Sequence, residues 1–410
     1  MTTARTEAAA VVRRRPKDRK DQIARASAEA FSAFGYHAVG MEDIAARVGI
    51  SAPALYRHYS SKYELFRGAV LALGQQLVDC TDFVDAEPDD ADPAATLDRL
   101  VEALIDVTLA NRESGGLYRW QARYLHADDQ ATLSDQLRLA NRRIQRPLMA
   151  IRPTLTSAQR WMLSAGLLSV IGSIVDHRVQ LPAKDIRALL AEAGSAVVNA
   201  DLPTPADTVS RPASWRIFEA DTGVYEALLQ ASMVLFHAKG YPATSMAEIA
   251  SAVGIPVSGI YRYFPGKGDI LATGLRRAAD RVSGRLSAIL TGLTEPHQML
   301  TLLIEAYVAT SFANPELVAI YYTERVNLPR VDQELLRSVQ RSTIDAWMRL
   351  LAATRPSLTK TQARFLVHAA VALAVDVGRL VHYDDPADNS AYPQACVRKL
   401  MEATVFGRDG

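Results

Sequence analysis

Cysteine is nearly absent. Cys80 and Cys396 are the two in 410 residues, too few and too far apart for a disulfide framework or a cysteine-rich zinc site. Such a chain suits a reducing compartment, and a cytoplasmic setting is the expectation. An excess of one charge is also missing: 46 Lys and Arg face 45 Asp and Glu, a formal +1, so any attraction for a polyanion has to be local. Long apolar runs are lacking. The longest, Trp161 to Val175 between Arg160 and Asp176, falls short of the ~20 residues that span a bilayer, so a buried helix and no membrane association are expected. Met1 to Lys20 are rich in Ala, Thr and Arg without an apolar signal core, and no secretory leader is expected there. Catalytic signatures are absent too. Gly266-Lys267 has neither the upstream Gly nor the following Ser or Thr of a phosphate loop. The eight histidines are scattered without ligand spacing, and no serine sits in a GxSxG elbow. Neither an enzyme nor a metal or organic cofactor is expected.

The chain instead carries an internal repeat. Displaced by 205 positions, Phe31 falls on Phe236, Gly35 on Gly240, Tyr36 on Tyr241, Met41 on Met246 and Ile44-Ala45 on Ile249-Ala250. Val48-Gly49-Ile50 then matches Val253-Gly254-Ile255, Tyr56-Arg57 matches Tyr261-Arg262, and Lys62 matches Lys267. With Ala33/Ala238 and Ala38/Ala243 there are 14 identities over positions 31 to 66, where unrelated segments would share roughly two or three. A fainter echo, Arg152-Pro153-Thr154-Leu155-Thr156 against Arg355-Pro356-Ser357-Leu358-Thr359, shows that whole halves are duplicated. The join, 201–216, is rich in Pro, Thr and Ser and suits an exposed linker.

Nearly everything else reads as helix. Apolar residues recur at three- and four-residue spacing, as in Leu97, Leu100, Val101, Leu104, Ile105 and Thr108, and alternating β-branched runs with hairpin turns are missing. The fold class is all-α, with roughly eighteen helices at ~11–12 residues each. Within the repeat, Ile23 to Phe34 forms a helix stopped by Gly35. A short helix follows from Met41 to Val48, Gly49-Ile50 turns the chain, and Ser51 caps a third helix running to about Tyr59. Pro53 falls in that helix's first turn, where a missing N–H costs little. Ile44, Ala45, Val48, Ile50 and Leu55 are the inward face, and Leu65, Phe66 and Val70 continue it in the next helix, capped by Ser61. Two short helices joined by a Gly turn make a helix-turn-helix, whose second helix enters the major groove of DNA. In the second copy Ser245-Met246-Ala247-Glu248 is a capping box, but Pro256 stands where Ser51 stood and the cap is weaker.

The run from Phe31 through Gly35-Tyr36, Met41-Glu42-Asp43-Ile44-Ala45, Val48-Gly49-Ile50-Ser51, Leu55-Tyr56-Arg57-His58-Tyr59 and Ser61-Lys62 to Leu65 resembles the DNA-binding domain of tetracycline-repressor (TetR) family regulators. Ile260-Tyr261-Arg262-Tyr263-Phe264-Pro265-Gly266-Lys267 resembles its end again. Each resemblance covers about 45 residues, while the rest of each half matches in length and helicity alone. It implies two tandem TetR-like halves, each a helix-turn-helix domain (18–66 and 217–271) followed by a helical regulatory and dimerisation domain (67–200 and 272–410). It also implies DNA contact by Ser51, Ala52, Pro53, Tyr56, Arg57, His58 and Lys62 in the first copy. Val257, Ser258, Tyr261, Arg262, Tyr263 and Lys267 do the same in the second, with Lys62 on a phosphate. Both copies depart from the family's usual Gly-Thr in the third helix, having Pro53-Ala54 and Ser258-Gly259, so no base preference carries over. The competing reading of the same residues is an exposed polar face with Tyr56 and Tyr261 in the core.

Outside the motif, Arg13-Arg14-Arg15-Pro16-Lys17-Asp18-Arg19-Lys20 reads equally as a flexible phosphate-binding arm or a solvated tail. The approach to the second copy has only Arg211 and Arg216. The acidic stretch Asp85 to Asp92 reads as a solvated connection. Tyr118, Trp120, Arg123 and Tyr124, and again Tyr321, Tyr322 and Arg325, are candidate contacts for an amphipathic or anionic effector, although core packing is the commoner fate of such clusters. Helices over Ala158–Val179 and Lys184–Asn199, with Lys360–Tyr383 and Tyr392–Phe406, sit where the family dimerises through a four-helix bundle. In a duplicated chain the halves can build it with each other. The expected function is a ligand-responsive repressor binding a double-stranded operator as a single-chain pseudo-dimer, with a small-molecule effector as partner. The alternative is a ligand- or partner-binding adaptor with one or both heads degenerate, and the sequence leaves open a further homodimer.

Overall fold

The computed structural model describes residues 16–88, 90–205, 216–292, 294–381 and 391–407. Among these the chain is helical without a strand. The first half runs α1 (Pro16–Phe34), α2 (Met41–Val48), α3 (Ala52–Tyr56), α4 (Lys62–Asp79), α5 (Pro93–Ala110), α6 (Gly116–Trp120), α7 (Ala127–Ile151), α8 (Ser157–Gly172) and α9 (Ala183–Val198). The second half repeats the order as α10 (Val224–Lys239), α11 (Met246–Val253), α12 (Val257–Ile260), α13 (Lys267–Gly292), α14 (Pro296–Ala313), α15 (Pro315–Thr323), α16 (Arg330–Thr354), α17 (Lys360–Leu380) and α18 (Ala391–Phe406). The eighteen α-helices of the described residues agree with the sequence estimate. Arg13 to Arg15 of the basic stretch, Asp89 of the acidic one, Arg211 and most of the linker, and the expected end of α17 at Tyr383 lie outside the described residues.

Equivalent sequence signals build equivalent local structure in both halves. Thr156 and Gln159 form a reciprocal capping box at the start of α8, and Thr359 and Gln362 form the same box on α17. Arg152 Nη1 donates to Val198 O (2.9 Å) and Ala200 O (3.0 Å) at the end of α9, and Arg355 Nη1 to Val405 O (3.0 Å) at the end of α18. A cation there satisfies carbonyls that a helix end leaves unpaired.

The chain divides into two compact units. One holds residues up to Leu73 with Glu113–Leu133. Within it α6 packs on α1, and the buried Asp129 accepts from Tyr63 Oη (2.6 Å) and Arg67 Nε (2.5 Å). These partners, Tyr63 first, hold its carboxyl below the usual range against the opposing effect of burial. The other unit holds Gly74–Arg112 and Ser134 onward. In it Arg143, 7% exposed, donates to Val78 O (2.6 Å), Thr81 Oγ1 (3.1 Å) and Asp85. Asp85 is therefore not just a solvated loop residue: it neutralises a buried guanidinium that fastens α7 to the end of α4.

At the centre of this second unit α8, α9, α17 and α18 form a four-helix bundle from both halves of one chain. The close approach has a cause in sequence. A Cβ on Gly166 would meet Val197 Cγ1 at 3.1 Å and Leu400 Cδ1 at 3.3 Å, and one on Gly194 would meet Leu167 Cδ1 at 2.7 Å. Ser157–Val175 is long and apolar enough to cross a membrane by length and composition, but 72% of it is buried inside the protein. It is a core helix. Cys80 is half-buried and Cys396 buried, both free, with burial pushing each thiol up to about 11.

Two imidazoles meet in the bundle: His177 stacks on His368 with centroids 4.6 Å apart and meets the edge of Phe365 at 4.5 Å. Burial, then His368, Arg112 and Arg178, pushes His177 down to about 2. Burial and Arg364 push His368 down to about 4 against the pull of Asp345. In the unfolded chain both titrate near 6.5. Below that pH the unfolded state binds protons that the folded state refuses, so stability falls as pH drops from about 6.5 towards 4. Chemical denaturation across this window is expected to show a shallower loss for His368→Gln than for the parent. Equal slopes would contradict the burial of a neutral pair.

Candidate nucleic-acid interface

Each head begins with a helix that ends on a left-handed glycine. Gly35 (φ 83°) donates its N–H to Phe31 O at 2.9 Å, and Gly240 (φ 85°) to Phe236 O at 3.0 Å. The turn between the two short helices is the same in both copies. Gly49 (φ 70°) and Gly254 (φ 73°) adopt αL, and the next residues, Ile50 and Ile255, donate back to Ala45 O and Ala250 O at 3.0 Å. A side chain at either glycine would be strained in this conformation, so the αL glycine sets the angle at which the recognition helix leaves the turn.

Ile44, Ala45 and Leu55 are buried as expected, whereas Val48 and Ile50 are half-buried at the edge of the turn. Ser51 Oγ accepts the Ala54 N–H at 3.4 Å and caps α3, with Pro53 in its first turn. The helix stops at Tyr56, short of Tyr59, and His58 and Tyr59 N–H both return to Leu55 O. At the other end α1 starts at Pro16, seven residues before the expected Ile23. The described part of the basic stretch is thus helix and not a flexible arm: Arg19 Nη1 donates to Val48 O (3.3 Å) and Lys20 lies over the Tyr59 ring. In the second copy Pro256 precedes a four-residue α12 with no side-chain cap.

One hydrophobic residue per recognition helix, Leu55 or Ile260, points into the core at 0% exposure, and its neighbours point out. Tyr56 is 50% exposed and Tyr261 53%, so neither is a core aromatic. Ser51, Pro53, Arg57, His58, Val257, Ser258, Arg262 and Tyr263 are exposed, and Ala52 is half-buried. Every one of these positions except Ala52 therefore presents an accessible side chain on its own head's recognition helix or just beside its ends.

Lys62 and Lys267 behave differently. Lys62 lies 4.6 Å over the Tyr36 ring and donates to His37 O at 3.3 Å, with burial lowering its pKa against the pull of Asp43. Lys267 lies 4.5 Å over Tyr241 and donates to Tyr241 O (2.7 Å), Pro242 O (3.2 Å) and Thr244 O (2.9 Å). An ammonium has three hydrogens, and in this geometry the carbonyls of the α10–α11 turn occupy them. The spacing from Tyr to Lys carried this signal, as both copies pair the two residues.

The effector candidates separate. In the first half Arg123 Nη2 donates to Tyr124 Oη (2.6 Å), and Tyr124 packs on Tyr36 (5.8 Å) and His37 (4.6 Å) within the head's unit. Tyr118 and Trp120 are half-buried, and Trp120 lies beside the Arg119 guanidinium. In the second half Tyr321 and Tyr322 line a cavity of about 200 Å³ among α13, α14, α15 and α16. Arg325 is not on its wall but donates to Tyr321 Oη at 3.4 Å. Tyr307, Asn314, Gln340 and Trp347 also line it. Sequence reading missed them because they sit singly in apolar helical runs and read as core. Among the described residues no charged side chain lines this cavity. Its polar groups bond to protein: Tyr321 Oη to Gln340 Oε1 (2.6 Å), Asn314 Nδ2 to Thr310 O (2.8 Å) and Thr310 Oγ1 to Ala306 O (2.7 Å).

Lys267→Met is expected to loosen the second head by about 1–3 kcal/mol, read as faster amide hydrogen exchange over residues 241–254. Lys62→Met, which removes one carbonyl contact, is expected to affect residues 36–49 less. Equal effects would contradict the clamp.

The model for bacterial regulatory proteins of the tetR family matches residues 23–69 and 228–273. The transcriptional activator FasR of Mycolicibacterium smegmatis is 49% identical over 67 residues, 16% of this chain and 29% of that protein. The repressor KstR2 of the same organism is 31% identical over 128 residues, 31% of this chain and 58% of that protein. The chain thus spans less than two thirds of the length of these relatives. Among solved structures, the ketosteroid regulator KstR2 of Mycobacterium tuberculosis is 18% identical with a TM-score of 0.41, covering 47% of this chain and 97% of that one. The two matched segments, each with its own Gly turn and outward short helix, are a tandem pair of tetR-family domains within one chain.

Proposed function

We propose that this chain is a sequence-specific DNA-binding transcription regulator that acts as a single-chain pseudo-dimer, a repressor released by a small apolar effector. The observation that carries the reading is the shared polarity of both recognition helices, with Leu55 or Ile260 inward and Tyr56-Arg57 or Tyr261-Arg262 outward. Side chains at the start of such a helix reach base edges, while the tyrosine hydroxyls and arginines that follow suit phosphates. We keep the domain limits 18–66, 67–200, 217–271 and 272–410 as part of this reading. The intrachain bundle supports a chain that brings both heads to one operator, with two half-sites about 34–36 Å apart.

Fluorescence anisotropy on a duplex selected from a random pool tests this directly. Arg57→Ala and Arg262→Ala are each expected to weaken binding by about 1–3 kcal/mol. An effect of Arg57→Ala alone would favour the adaptor reading for the second head, whose recognition helix is short and uncapped.

The cavity supports the effector. Ile217, Leu275, Leu317 and Leu336 belong both to its wall and to the hydrophobic cluster that holds Phe236, Ile249, Ala250 and Ile260 of the second head. A molecule filling the cavity presses on side chains continuous with the head's core, which is how packing transmits a local change. A wall with no charged residue among those described, and with hydrogen-bonded polar groups, favours a neutral apolar molecule. Titration with straight-chain primary alcohols is expected to change the emission of Trp347 and weaken DNA binding. Ala306→Phe, which fills the cavity, is expected to remove both responses and keep ligand-free DNA affinity. A response that survives Ala306→Phe would place the effector elsewhere.

A further inference from the structure

A two-fold pair of identical subunits makes each contact twice, residue i to j and j to i. The bundle of this chain can be tested against that rule, because the capping boxes Thr156–Gln159 and Thr359–Gln362 align α8 with α17 at a constant offset of 203. Ser169 Oγ donates to Asp376 Oδ2 across the halves at 2.6 Å. The symmetry mates of these residues are Ala372 and Ser173. Ala372 has no donor, and the Ser173 hydroxyl is turned to Val170 O at 2.7 Å in its own half. His177 packs on His368 and Phe365, and the mates are Leu380, Ala165 and Met162. Arg355 Nη2 reaches Glu192 Oε1 of the first half at 2.5 Å, whereas its mate Arg152 turns to Asp201, also in the first half, at 2.9 Å. Three polar or aromatic contacts therefore exist in one direction only.

We propose that this face is a heterotypic interface, coded so that a first half pairs with the second half of the same chain and not with a like half; the inference rests on the pseudo-dimer reading. The discrimination is chemical. Two second halves face to face would set each half-buried Asp376 against Ala372, removing the hydroxyl donor from a carboxylate in a helix seam. Two first halves would set Ser169 against Ser173 and His177 against Ala165. Polar groups that lose a partner in the wrong pairing are how interfaces reject near relatives. The shared apolar frame of the bundle is kept and the polar register has diverged, as expected once covalent linkage removes the need for self-complementarity.

A double-mutant cycle on the full chain tests the code, using Ser169→Ala, Asp376→Ala and the double variant in chemical denaturation, each with its mass from sedimentation velocity. Either single change is expected to raise the unfolding constant on the order of tenfold or more, and the double variant by clearly less than the product of the two. Asp376→Asn, which keeps an acceptor oxygen, is expected to recover much of the loss and carries the test if Asp376→Ala does not fold. All are expected to sediment as single 44.8 kDa chains. Independent effects at the correct mass would overturn the code and leave the pseudo-dimer standing. A parent chain at twice that mass that keeps the coupling would mark a further homodimer, and one at twice that mass without it would overturn both.

Discussion

The closing of α8 and α9 onto α17 and α18 is the contact on which the rest of the chain depends. It buries an apolar helix that by composition alone could lie in a membrane, and glycines at 166 and 194 admit the neighbouring leucines and valine. Side-chain volume is the constraint here, since interiors pack near crystal density and a single added carbon at Gly194 would have to displace Leu167. Because both halves supply the bundle, a free monomer face of the kind that separate subunits expose has no counterpart among these four helices. Two helix-turn-helix heads then share one polypeptide and one concentration.

Duplication has preserved what geometry requires and released what it does not. The αL glycines 49 and 254, the inward Leu55 and Ile260, and the Tyr–Lys pairs recur because each fixes backbone or core. The outward residues differ: Ser51 caps one recognition helix, Pro256 opens the other without a cap, and His58 is matched by Tyr263. The two heads thus keep one frame and present two different surfaces. The regulatory halves differ in the same way. Positions 322 and 344 on the wall of the cavity are Tyr and Ile, where an offset of 203 places Arg119 and Asn141 in the first half.

Much of this was legible in the sequence for physical reasons. A gapless repeat, glycines at turn positions and Ser or Thr three residues before Glu or Gln encode local geometry, and local geometry needs no partner to be read. The helix count and the Ser245–Glu248 capping box follow from such signals. What escaped depends on contacts distant in sequence. Asp85 looked like one more acid in a solvated loop until Arg143, 58 residues away, brought a buried charge to it. Lys267, the second-copy counterpart of Lys62, donates to carbonyls 23 to 26 residues earlier, contacts that no local pattern encodes. The cavity draws one or two residues from each of several helices, so no stretch of sequence announces it. Tyr321 and Tyr322 were singled out and do line it, whereas Arg325 stands behind Tyr321.

The central claim is that one chain supplies both reading heads to one DNA site. Native mass spectrometry of the protein bound to a duplex selected from a random-sequence pool tests it most directly. The account predicts one 44.8 kDa chain per duplex, on a site whose two half-sites differ in sequence. Two chains on a duplex just long enough for a single pair of half-sites, with the half-sites identical, would contradict it.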